Sequence, residues 1–82
     1  MTYELYSQIA LTEDVAEHGL RRGDVARVVE TIPPESAEPS SYVLEVFNAL
    51  GESMNVIIVK ANQIEPLRND EYFTVRHMQE AM

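Results

Sequence analysis

The chain has no cysteine and no tryptophan, three glycines, two histidines and only six basic residues in 82. Without cysteine there is neither a disulfide framework nor a thiolate metal site, so the stability of so short a chain comes from its core or from a partner. The same absence suits a reducing cytoplasm, which is the expected location. His18 and His77 are the only imidazoles and do not stand at ligand spacing; no metal and no other cofactor is expected. The longest aliphatic run, residues 56–59, is far too short to cross a bilayer, and the N-terminus carries no basic segment followed by an apolar one. No membrane or export segment is therefore expected.

Basic residues are scarce while acids are plentiful. Fourteen Asp and Glu against six Lys and Arg give a net charge of -8, a field that repels a polyanion unless a local basic patch overrides it. The one candidate patch, Arg21, Arg22 and Arg27, is interleaved with Asp14, Glu17, Asp24 and Glu30. Nucleic acid is disfavoured as a partner, whereas a basic protein would gain association rate from the field.

Eighty-two residues make one small domain, with room for a single core. Residues 5–11 alternate loosely and read as a first strand. Residues 12–22 form a polar excursion with Val15 and Leu20 as apolar pins expected to tuck under the sheet. Gly19 and Gly23 then permit a sharp turn into residues 24–32, a β-branched strand with mixed faces that is expected to bend strongly. Pro33, Pro34 and Pro39, with the serines and glutamates between them, stop this strand in a loop expected to be mobile. Residues 42–50 and 54–59 alternate around Gly51 and read as a hairpin. Residues 60–63 look like one helical turn, and residues 64–68 like a short strand that Pro66 confines to an edge. In the tail, Tyr72, Val75, Met78 and Met82 share helical spacing, yet E-Y-F-T-V-R reads equally well as a strand.

These pieces predict an all-β protein: a five-stranded SH3-like small barrel over residues 1–68, followed by a short helical or strand extension over 69–82. The segment L-T-E-D, the turn G-L-R-R-G-D, the strand V-A-R-V-V-E and the closing I-E-P-L-R resemble a family of short bacterial proteins known only as a domain of unknown function. The resemblance covers roughly residues 5 to 68 and implies an SH3-like barrel, with no catalytic residues to carry over. Its members look like the smaller partners of two-gene modules. The turn-and-strand pattern also resembles the KOW motif of ribosome and transcription proteins. Both patterns commonly place glycine where this chain has Ala26, which argues against a close backbone approach to RNA there.

No serine sits in a nucleophile elbow, no nucleophile stands near His18, and the adjacent acids Glu13-Asp14 and Asp70-Glu71 read as solvated surface. The expected function is therefore a non-enzymatic, acidic protein-protein interaction module, an antitoxin-like or immunity-like subunit of a two-gene pair, with no small-molecule substrate. A KOW-type nucleic-acid- or ribosome-associated barrel is the alternative. The partner is expected to be a basic protein or a second copy of the chain. The expected contact residues are Tyr72, Phe73, Val75, Met78 and Met82, whose apolar face at a chain terminus needs covering, together with Arg21 and Arg22, which can clamp an anionic group.

Overall fold

Five antiparallel strands form one sheet in the order β4-β3-β2-β1-β5 in the computed structural model, which describes residues 3–34 and 40–78. The strands are β1 (Gln8–Leu11), β2 (Val25–Ile32), β3 (Ser41–Phe47), β4 (Ser53–Lys60) and β5 (Ile64–Pro66), with single 3-10 turns at Ala16–His18 and Ala61–Gln63. The centre of the expected proline-rich loop, residues 35–39, and Met82 lie outside the described residues. The sheet does not close into a barrel: β4 and β5 are its two edges and share no ladder.

The alternation in β3 explains the core. Tyr42, Leu44 and Val46 are buried while Ser41, Val43, Glu45 and Phe47 are not, as a period of two requires when one face of a strand is covered. Leu44 lies between Val28 of β2 and Ile57 of β4, and all three belong to a cluster that also takes Ile9, Leu11, Ala26, Tyr42, Val59 and Ile64. Asn48 shapes the β3–β4 hairpin: its side-chain oxygen accepts the N–H groups of Leu50 and Glu52 at 3.0 and 2.9 Å. Gly51 completes that turn at a φ of 83°, where a side chain would be strained.

Several expectations need correcting. β1 is shorter than residues 5–11, because the Ser7 N–H and hydroxyl both bond the Glu4 carbonyl and close a turn. Tyr6 takes a left-handed φ of 67° there, and Leu5 and Tyr6 are exposed. Asp24 precedes β2 instead of joining it. Regular alternation along β2 holds only as far as Val28, since a bulge between Val28 and Glu30 puts Glu30 opposite Val43 and Thr31 opposite Tyr42. An extra residue in one strand reverses the parity of everything after it. β3 ends at Phe47, not residue 50, because the Asn48 turn has begun. β5 stops at Pro66, short of Arg68.

The first excursion behaves as read from the sequence. Val15 and Leu20 form an isolated antiparallel bridge, with Val15 buried in the core and Leu20 packed against it. Pro66 also sits on an edge strand, as its missing N–H demands. The tail contradicts both readings offered for it: residues 71–78 form neither helix nor strand. Glu71 N–H closes a turn on the Arg68 carbonyl, and beyond it Tyr72, Phe73, Val75 and Met78 are exposed. A short helix persists only when an apolar stripe docks, and these side chains bury none.

Candidate interaction groove

The tail does not leave the body of the protein. The Arg76 guanidinium donates from Nε to Asp24 Oδ1 at 3.1 Å and from Nη2 to Asp24 Oδ2, a two-point contact that suits the planar fork of arginine. Asp24 also accepts the Arg21 N–H at 2.8 Å, so a single carboxylate ties the glycine turn to the tail. The hydrogen bond to Asp24 raises the Arg76 pKa above its ordinary value, opposed by partial burial and aided by the charges of Asp24 and Asp14. The guanidinium therefore stays charged at neutral pH.

Between the tethered tail and the sheet runs an open groove of about 1430 Å³. Its floor includes Gln8 and Ala10 of β1 and Val25 of β2; Phe47 and Met54 stand at the hairpin end, and residues 72–76 with Met78 form its far wall. Three carboxylates (Asp24, Glu65, Glu71) and three guanidiniums (Arg27, Arg68, Arg76) line it. Among the described residues the excess negative charge thus lies outside the groove. Arg27 stands over the Phe47 ring at 5.3 Å, which fixes one aromatic of the rim.

Four of the expected contact residues come together here. Tyr72 is 94% exposed, Val75 87%, Phe73 76% and Met78 71%, an unusual concentration of uncovered apolar surface on eight residues. Arg21 and Arg22 stand apart on the loop tip, exposed. Their backbone N–H groups are held by Asp24 and by Asp14, which makes them parts of a braced turn. Met82 lies outside the described residues. The Asp24–Arg76 pair was invisible to the sequence reading, because its members are 52 residues apart and nothing local couples them.

The remaining aromatics divide. Tyr3 packs edge-to-face on Tyr42 at 5.3 Å, donates its hydroxyl to the Ile64 carbonyl, and donates its N–H to the Tyr42 hydroxyl. Desolvation, then the neighbouring Tyr42 and Glu65, push the Tyr3 pKa above its ordinary value of 10.0. The folded chain holds this proton more tightly than the unfolded chain does. The associated stability is therefore complete below about pH 10 and is lost as pH rises through the folded value. Urea midpoints measured from about pH 8 to about pH 12 should fall on the alkaline side, and Tyr3→Phe should flatten that fall. An unchanged alkaline slope in the variant would show that another group titrates.

Among the described residues no three His, Asp or Glu side chains converge as metal ligands would, and no helix is long and apolar enough to cross a membrane. The fold and groove define a small all-β domain: one antiparallel sheet whose flank is lined by a tethered apolar tail. The chain belongs to the family described as domain of unknown function DUF4926, whose model matches residues 5–66. Comparison with curated proteins and with solved structures gives no match.

Proposed function

We propose that this chain is a non-enzymatic, acidic protein-binding module of SH3-like type that takes a basic protein against its tail, as an antitoxin-like or immunity-like subunit of a two-gene pair would. The observation that carries this reading is the row Tyr72, Phe73, Val75 and Met78, exposed yet held along a groove by Arg76 and Asp24. A groove of about 1430 Å³ exceeds the roughly 300–1,000 Å³ of small-molecule sites, which favours a protein segment as occupant. Its balanced lining leaves recognition inside it to apolar and aromatic contact, while the surrounding net charge of -8 accelerates encounter with a basic partner. The strand order, with a 3-10 turn leading into a short fifth strand, supports the SH3-like assignment.

The test is recovery of the full chain from its host at physiological salt. A co-purifying basic protein is expected, then a direct titration of that purified protein against the chain with and without residues 69–82. Binding lost on truncation supports the reading. Recovery of the chain alone, or an RNA mobility shift as the sole interaction at about 50 mM salt, would overturn it.

A further inference from the structure

We propose a second interaction surface, independent of the groove: the outer edge of β4 pairs with β4 of a second copy of this chain, antiparallel about a two-fold axis near Ile57. The two edges of the sheet are unlike. β5 is three residues long, carries exposed Glu65 and ends at Pro66, all features that deter strand addition. β4 has eight residues and, among the described residues, pairs only with β3. The Val56 N–H donates to the Asn55 side chain and the Lys60 N–H to the Gln63 side chain, so both point away from β3, and pairing of two copies exchanges these side-chain acceptors for the Ile58 and Met54 carbonyls of the second copy. Strand alternation places the N–H and carbonyl of Ile58 on that same open side. Val56 and Ile58 are 57% and 66% exposed, a high fraction for β-branched residues.

Charge selects the occupant. Two copies carrying -8 each repel wherever acid meets acid. Residues 53–64 contain no acid at all, the longest such stretch in the chain, and Lys60 is the one charge within it. This is the strip along which two copies approach with least repulsion. In the register centred on Ile57, Val56 of each copy faces Ile58 of the other, and Lys60 arrives opposite Met54. Lys60 of one copy then approaches the end of the hairpin that carries Glu52 of the other, twice by symmetry. Same-face pairs of β-branched residues and opposite charges are the stabilising pairs of an antiparallel ladder, and an isologous contact closes at two copies.

Light scattering on the full chain tests this. The expected mass rises with concentration toward twice 9.3 kDa, and the dimer strengthens between about 50 and about 500 mM salt as repulsion between the copies is screened. Ile58→Glu should raise the dimer dissociation constant by at least about tenfold with the circular dichroism spectrum unchanged. Val56→Lys should do the same, and serves should the first variant not fold. Deletion of 69–82 should leave the dimer intact, which separates this proposal from the groove. A single-chain mass throughout, a dimer indifferent to both substitutions, or one abolished by the tail deletion would each overturn it.

Discussion

Leu44→Ala should cost about 2–5 kcal/mol and bring the protein close to global unfolding at room temperature. Leu44 is fully buried in the middle of β3, an interior strand, with Val28 on one side and Ile57 on the other, so the missing methyl groups leave a cavity that three strands hold open. A chain of this length commands only about 4–12 kcal/mol in total, and there is no disulfide to limit the loss. Val56→Ala, on the outer face of β4 and more than half exposed, should shift stability by no more than about 1 kcal/mol. Urea denaturation followed by circular dichroism compares the two. A Leu44→Ala loss below about 1 kcal/mol would mean that the core does not centre on β3.

The second large effect is on binding alone. Replacing Tyr72 and Phe73 together by alanine should weaken capture of the protein partner by at least about thirtyfold, as expected when one aromatic anchor worth roughly 2 kcal/mol is lost. The unfolding midpoint should barely move, because both side chains are already open to water in the free protein. Titration calorimetry and a thermal melt on the same variant separate the outcomes. Unchanged affinity would remove these aromatics from the interface, and a large drop in melting temperature would place them in the core.

How far the sequence reveals this architecture depends on how each segment is patterned. β3 was legible because its apolar residues at 42, 44 and 46 are separated by residues the surface accepts. β4 was legible as a strand but not as two faces, since Val56, Ile57, Ile58 and Val59 are all aliphatic and only the pairing with β3 shows that Ile57 and Val59 are the buried pair. The β2 bulge carries no local mark. The tail defeated pattern reading altogether, because its spacing satisfies a helix and its β-branched and aromatic content satisfies a strand, while the structure uses neither. What holds the tail is one ion pair between distant residues, and such pairs follow from the fold instead of preceding it. The exposed cluster Tyr72, Phe73, Val75 and Met78 was nonetheless legible as apolar surface, since an apolar cluster beyond the last strand has no layer left to join.

The bulge in β2 also bears on how the family can vary in length. Because one surplus residue is absorbed between Val28 and Glu30, Ala26 and Val28 reach the core ahead of it and Thr31 meets Tyr42 behind it. Closing the bulge without removing a residue would set Val29 opposite Val43 and Glu30 opposite Tyr42, which puts a carboxylate against the aromatic core, whereas deleting the surplus residue leaves Glu30 opposite Val43 and Thr31 opposite Tyr42. Relatives with one residue fewer between Val28 and Glu30 can therefore keep an acid at position 30, whereas relatives that keep the length but lose the bulge must replace it.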